Sequence, residues 1–239
     1  MNLMKRQPQQ APPGQHIYHY QRLLLAICVV LGPAAVLIAV FTNPPYYGSQ
    51  SGIGSAVATN ASDSDLIDLT HLVTLLIAAY VLPFSFLVMA WLANRRSPWL
   101  ATIGAILAML GFLPLALNVG QDSLYYDIAR WGSSAQFVEL AQRWNSDGIM
   151  TWYGISFGLG SVFGPTLIGI ALWRSRVIPT WAAIFLTFSR LPVFVFLFVP
   201  YHLATAIVLA GTVLLLIGSI PAARAAVKTL PAKEPPSPA

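Results

Sequence analysis

The sequence predicts an all-α fold, a polytopic transmembrane helix bundle of about six spans. Of its 239 residues, 56% are hydrophobic and only 9% are charged, whereas a soluble domain carries charge on about a quarter of its positions. The mean hydropathy is +0.68, and apolar runs long enough to cross a bilayer as helices recur along the chain. We therefore expect a six-helix transmembrane domain at 21–230, between a cytoplasmic tail at 1–20 and a disordered cytoplasmic tail at 231–239.

The six predicted spans follow the apolar runs in order. They lie at 23–41, 66–93, 98–118, 148–173, 178–199 and 203–222. The first run is longer than the apolar core of a secretory signal, so it is expected to remain as a span. Each of the first five runs contains a proline, which removes a helical hydrogen bond and tends to kink the helix. These prolines are Pro33, Pro83, Pro114, Pro165 and Pro192.

The segment 121–147, between spans 3 and 4, is too polar to cross. Apolar residues recur in it every three or four positions, which is typical of amphipathic helices, and Gly132 interrupts the pattern. We interpret it as an amphipathic interfacial segment of two short helices, with Trp131 and Trp144 at headgroup level. The alternative is a lid over an outward-facing cavity.

Basic residues predict the orientation, because short cytoplasmic loops retain lysine and arginine. Only Arg130 and Arg143 fall on one predicted side of the membrane, and Arg190 lies inside a span. The other side, which carries both termini, holds Lys5, Arg6, Arg22, Arg95, Arg96, Arg174, Arg176, Arg224, Lys228 and Lys233. This distribution predicts a multi-pass plasma-membrane protein whose two termini are cytoplasmic.

Glycines recur along one face of the fourth predicted span, in two overlapping GxxxG patterns. Small residues at this spacing let two helix backbones approach closely. Gly154, Gly158, Gly160 and Gly164 are therefore predicted to pack helices. The contact can lie within the chain, in a homodimer or against a membrane partner.

Three polar residues at membrane depth are the predicted ligand-binding residues. Arg190 lies about a dozen residues into the fifth span, where an arginine costs roughly 2.5–3.5 kcal/mol and normally faces the bundle interior or a wet cavity. Asp68 and His71 are three residues apart, hence on one helix face of the second span. We expect Asp68, with His71 alongside, to pair with Arg190 in an outward-facing polar cavity. The alternative is an arginine that reaches the interface or pairs only structurally.

Asp68 and His71 also allow a metal site together with His202, in the turn between the last two spans. A further ligand from Asp65 or Asp122 would complete it, although the spacing matches no strong metal template. A b-type haem between His71 and His202 is chemically possible, but nothing else marks a macrocycle pocket. We therefore expect no cofactor.

The two turns predicted on the cytoplasmic side have similar sequences, as in a faint internal repeat. One contains Trp91, Arg95, Arg96, Pro98 and Trp99, and the other contains Trp173, Arg174, Arg176, Pro179 and Trp181. A tight cytoplasmic turn selects interfacial tryptophan, arginine and a proline in the first helical turn without any duplication.

The second turn, LWRSRVIPTW at 172–181, resembles the YRSRLIPRWL signature of a broad group of uncharacterised bacterial six-helix membrane proteins, a domain family of unknown function. The resemblance covers the last third of the chain and departs at Thr180, where those proteins usually carry a basic residue. It implies a location in the bacterial inner membrane and implies no activity.

The sequence favours a protein that is not an enzyme. No GxSxG, HExxH, P-loop or dinucleotide motif occurs in a usable context, and Cys28 is the only cysteine. The basic residues are dispersed between the spans, which excludes a nucleic-acid surface. The leading hypothesis is that the protein binds, senses or passes a small solute. A membrane-embedded metalloenzyme using Asp68, His71 and His202, or an accessory subunit of a membrane complex, is the alternative.

Overall fold

The computed structural model describes residues 15–42, 57, 65–132, 134–197 and 201–229. Every regular element with described bounds is helical, which confirms the all-α class. These elements are α1 (Gln15–Thr42), α2 (Asp65–Ala93), α3 (Pro98–Phe112), α4 (Leu115–Arg130), α5 (Ala135–Asn145), α6 (Gly148–Ser175), α7 (Thr180–Phe188), a 3₁₀ helix (Leu191–Leu197) and α8 (Tyr201–Thr229).

Five helical stretches are long and apolar enough to cross a membrane, and they match the first four and the sixth predicted spans. They are Tyr20–Thr42, Asp65–Ala93, Pro98–Arg130, Gly148–Ser175 and Ala206–Lys228. The predicted fifth span, 178–199, is not one long helix: α7 ends at Phe188 and the 3₁₀ helix follows. Pro192 has no N–H to donate to the Phe188 carbonyl. Pro83 and Pro165 lie inside α2 and α6 without ending them, so the proline alone does not account for the break.

The third stretch extends well beyond its predicted end at residue 118. α3 and α4 meet at Pro114 and run as one stretch of 33 residues to Arg130, about 50 Å at 1.5 Å per residue. A helix does end before Gly132, but it begins at Leu115 and continues α3 across Pro114, so the predicted pair of short interfacial helices is not confirmed. The predicted interruption is confirmed: Gly132 has a φ of +106°, which favours glycine, and α5 follows it.

Helices that follow one another across a turn pack antiparallel. Ala39 of α1 contacts His71 of α2, and Gly169 of α6 lies against Thr187 of α7. α1 also packs on α8, and α3 packs along α6. We call the end with the turns at 94–97 and 176–179 the arginine-rich end, and the opposite end, where α2 begins, the acidic end. α1 begins and α8 ends at the arginine-rich end.

The closest helix pair is α3 with α6, and only part of the predicted glycine stripe forms it. A Cβ at Gly160 would lie under 3.0 Å from the backbone of Gly111, and one at Gly164 would overlap Ala108. A Cβ at Gly154 or Gly158 would meet no atom of the described residues within 4 Å. Within the described part of the chain these two glycines therefore do not pack helices, while a homodimer or membrane partner at α6 stays a prediction.

The structure describes only the last residues of the first predicted tail and none of the second. α1 begins at Gln15, so the end of the segment predicted as a tail at 1–20 is helical. α8 continues to Thr229, seven residues beyond the predicted end of the last span at 222. Residues 1–14 and 230–239 lie outside the described part of the chain, and the predictions for them stay predictions.

Candidate functional site

Charged side chains from α2 and α4 converge at the acidic end of the bundle. We call them the α2–α4 polar cluster: Asp65, Asp68, His71, Asp122 and Arg130. α2 places its three residues within its first two turns, and α4 brings the other two beside them because it continues past residue 118. Asp68 and His71 are only 2% and 4% exposed, so their charges and hydrogen bonds must be satisfied within the protein.

Arg130 joins the two helices. Its Nη2 donates to Asp65 Oδ1 and lies 3.3 Å from Asp68 Oδ2, so that one guanidinium bridges an exposed and a buried carboxylate. The guanidinium carbon also lies 3.5 Å from the centre of the Tyr126 ring, a cation–π contact within the same helix. Asp68 is therefore paired with Arg130, and the predicted pair between Asp68 and Arg190 is wrong.

His71 is held between two oxygen atoms. Nδ1 lies 2.8 Å from the carbonyl oxygen of Ala39, and Nε2 lies 3.2 Å from Asp122 Oδ2. A carbonyl only accepts hydrogen bonds, so Nδ1 carries a proton. The second hydrogen bond then requires a proton either on Nε2 or on the Asp122 carboxyl group. The two contacts hold the ring of His71 between α1 and α4.

An aromatic column runs from this cluster into the bundle. Tyr153 donates its hydroxyl to Asn118 Oδ1, one turn before Asp122 on α4. Its ring stacks on Phe157 at 5.8 Å, and Phe157 meets Phe112 edge-on at 6.3 Å. The column therefore connects the polar residues of α4 to Phe112, the last residue of α3, and to Phe157 of α6.

Arg190 lies at the other end of the aromatic column, at the break between α7 and the 3₁₀ helix. It is only 6% exposed, and its guanidinium carbon lies 5.6 Å from the centre of the Phe112 ring. Within the described part of the chain no carboxylate forms an ion pair with it, and its buried Nε has no hydrogen-bond partner. The ring face and the nearby C-terminal end of α7 offset only part of the cost of this charge.

The break at Ser189–Arg190 is stabilised by neighbouring helices. The Thr166 hydroxyl of α6 lies 3.1 Å from the Thr187 carbonyl, a group that would bond to residue 191 in a continuous helix, and 2.8 Å from the Val162 carbonyl of its own helix, so its one proton is shared between the two. Gly211 of α8 lets the Ser189 carbonyl approach closely, because any side chain there would overlap it. Thr166 thus offers a substitute for a helical hydrogen bond, and Gly211 offers the space for an irregular backbone.

The predicted metal site stays a prediction. Among the described side chains, no group of three His, Cys, Asp or Glu could hold a metal ion, and the side chain of His202 lies outside that part of the chain. Both ring nitrogens of His71 already have oxygen partners. Binding a metal through His71 would require breaking one of these contacts.

The structure brings Asp68 and His71 together, as predicted, but joins them to Arg130 and Asp122 instead of Arg190. The signal that reveals these partners is a polar stripe on α4, where Asn118, Asp122, Tyr126 and Arg130 recur every four residues and so share one helix face. Because residues 121–147 are predicted to lie in the membrane interface, their polar stripe is not expected to face the bundle.

No protein-family model, no curated protein and no solved structure matches the chain. The resemblance of residues 172–181 to a bacterial membrane family therefore stays a prediction.

Proposed function

We propose that this is an integral protein of the bacterial inner membrane that crosses six times, keeps both termini in the cytoplasm and binds or passes a small anionic solute at Arg190. The five long apolar helices are compatible with an integral membrane protein. Large apolar side chains such as Phe84, Ile106 and Leu110 are exposed on them, which suits contact with lipid.

The interrupted segment supplies the sixth crossing in this proposal. The nine residues of α7 rise about 14 Å, and the seven residues of the 3₁₀ helix rise about the same. Together they approach the roughly 30 Å of a bilayer core. The chain must also pass from the arginine-rich end, where α6 finishes, to the acidic end, where α8 begins.

One observation carries the choice of solute: Arg190 is a buried cation without a carboxylate partner among the described residues. It lies ten residues after the start of α7, about 15 Å from that end and hence near the middle of a bilayer. A lone charge there is costly, so a bundle interior or cavity that receives an anion is the natural setting for it. Discontinuous helices also form substrate sites in many transporters, because the ends of their half-helices can face the substrate.

The α2–α4 polar cluster lies at the acidic end, and we assign it the role of a gate on the way to this arginine. Its charges are paired with one another: Arg130 binds Asp65 and Asp68, and His71 binds Asp122. A solute that reaches Arg190 from the acidic end has to pass these pairs. Separating α4 from α2 would open them without breaking either helix.

Small anions test the proposal through the thermal stability of the purified protein in detergent. A ligand that binds only the folded state raises the unfolding temperature with concentration. We expect sodium acetate, lactate or nitrate to raise it for the wild type and not for Arg190→Leu. Without added anion, Arg190→Leu should itself be more stable, by about 1–3 kcal/mol, because it removes a costly buried charge.

Arg143→Leu is the matched control, since Arg143 is an exposed arginine in α5 whose ion pair among the described residues is with Glu139. It should keep the full response to the anions, which separates binding at Arg190 from a general effect of salt. A response of Arg190→Leu equal to that of the wild type would refute the anion site. A large loss of stability in Arg190→Leu would show that Arg190 is structural.

A further inference from the structure

A cleft of about 440 Å³ opens between the two turns at the arginine-rich end, away from Arg190 and the polar cluster. It is lined mainly by Trp91, Asn94, Arg95, Arg96, Ser175 and Arg176. Its volume lies in the range of ordinary ligand sites, about 300–1,000 Å³. We propose that it binds a phosphate group, that of an anionic phospholipid in the adjacent leaflet.

The charge of the cleft is not balanced by the protein. Three arginines line it and no acidic residue does. No ion pair to Arg95, Arg96 or Arg176 forms within the described residues. The described carboxylates all lie toward the acidic end: Asp65, Asp68, Asp122, Asp127, Glu139 and Asp147. An anion is the complement that this cleft lacks.

Arg96 is already held in place for such a ligand. Its Nη1 donates to the carbonyl oxygen of Ser175 at 3.2 Å, a bond that joins the two turns across the cleft. A guanidinium has five N–H donors in a planar fork, so others remain for phosphate oxygens. Fixing the side chain beforehand reduces the entropy lost when a ligand binds.

Arg176 occupies a position that suits glycine better. It ends α6 with a φ of 53°, and it is the only residue other than glycine with a positive φ in the described part of the chain. Helices commonly end in this left-handed conformation with a glycine, which has no Cβ to oppose it. Strained residues of this kind cluster at binding sites, and here the arginine lines the cleft.

Tryptophans place the cleft at the level of lipid headgroups. Trp91 lines it, and Trp99, Trp173 and Trp181 are all exposed at the same end of the bundle. Tryptophan is enriched where the apolar core of a membrane meets the headgroups, and basic pockets between helices at this depth bind anionic headgroups. A phosphodiester of the leaflet is therefore favoured over a soluble phosphate.

Native mass spectrometry of the delipidated full-length protein tests the proposal, with dioleoylphosphatidylglycerol as the probe and dioleoylphosphatidylcholine as the zwitterionic comparison. We expect the wild type to bind the first more tightly. Arg95→Gln and Arg176→Gly should each weaken this binding by about fivefold to tenfold. Arg176→Gly also relieves the left-handed backbone, so its loss of binding cannot be attributed to a loss of fold.

Arg174→Gln is the matched control, because Arg174 is exposed in the last turn of α6, two residues before Arg176, and does not line the cleft. An equal loss in this variant, or no preference for the anionic lipid, would overturn the proposal in favour of diffuse attraction. A parallel titration with inorganic phosphate identifies the source of the group. Binding of phosphate alone, lost in Arg95→Gln and Arg176→Gly, would keep the phosphate site and assign it a soluble ligand.

Discussion

Arg130, whose side chain is 27% exposed, and Arg190, which is buried, are stabilised in different ways. Arg130 has two carboxylates and the ring of Tyr126 within reach, whereas Arg190 has the ring of Phe112. Removing a partner from a buried pair leaves an uncompensated charge, which is costlier than having no charge at all. The two arginines should therefore respond in opposite directions to replacement by leucine.

A double-mutant cycle on Arg130 and Asp68 tests this at the residue scale. We expect Arg130→Leu to lower the free energy of unfolding by about 3 kcal/mol, because it leaves Asp68 buried without this arginine. Asp68→Leu should cost less, since Arg130 keeps Asp65. The double variant should recover part of the loss. Chemical unfolding in detergent measures all three.

The exposed pair of Arg143 and Glu139 on α5 provides the comparison, as it has similar chemistry outside the bundle. Each leucine variant there should change the free energy of unfolding by no more than about 0.5–1 kcal/mol. Strictly additive losses for Arg130 and Asp68, or losses as small as those on α5, would show that Arg130 and the buried Asp68 are not coupled.

At the scale of elements, apolar runs predict well that a helix forms, but they do not predict the residue at which the helix ends. The second, fourth and sixth runs became long helices because nothing in them breaks the backbone pattern beyond an isolated proline. The helix of the fifth run ended four residues before Pro192, where Thr166 and Gly211 accommodate the carbonyls of Thr187 and Ser189. Those two residues come from other helices, so the run by itself could not reveal the break.

The glycine stripe likewise shows what one segment predicts and what depends on its partner. Spacing identified α6 as a packing helix, but the partner sequence decides which glycines are buried. On α3, Gly104, Ala108 and Gly111 recur four and three residues apart and face Ile168, Gly164 and Gly160 in antiparallel order. Matching the two stripes selects Gly160 and Gly164 and leaves Gly154 and Gly158 outside the contact.

Leucine substitutions in α6 test this packing at the element scale. Gly160→Leu and Gly164→Leu should each cost about 2 kcal/mol or more, because the side chain would overlap backbone atoms of α3. Gly158→Leu adds the same side chain to the same helix in open space, so it should be neutral or slightly stabilising. The unfolding temperatures of the three variants measure these differences. Equal losses at Gly158 and Gly160 would contradict the α3–α6 contact.

At the scale of the whole molecule, charge is divided between the two ends of the bundle. The arginine turns at 94–97 and 176–179 share one end with the start of α1 and the end of α8. The residues that pair α2 with α4 lie at the other end. The sequence predicts this division because it depends on the order of the helices. It does not predict the pairing across the acidic end, which depends on how far α4 extends.

The orientation in the membrane is the last prediction, and it depends on residues that are exposed at each end. Asn94 lies in the first arginine turn, and Ser134 lies between α4 and α5; both are exposed. Ser97 is a poor probe because its side chain is buried. Cys28 is partly buried within α1, so Cys28→Ala provides a background without a native thiol.

In intact cells that carry this background, Ser134→Cys should react with a membrane-impermeant thiol reagent, and Asn94→Cys should react only after permeabilisation. The reason is the rule that arginine-rich turns remain in the cytoplasm, because basic residues oppose translocation. The opposite labelling pattern would show that the protein has the reverse orientation in the membrane. Arg190 would then be approached from the cytoplasm past the α2–α4 polar cluster, and the arginine cleft would face the outer leaflet. Labelling of both positions without permeabilisation would exclude their being on opposite sides of the membrane.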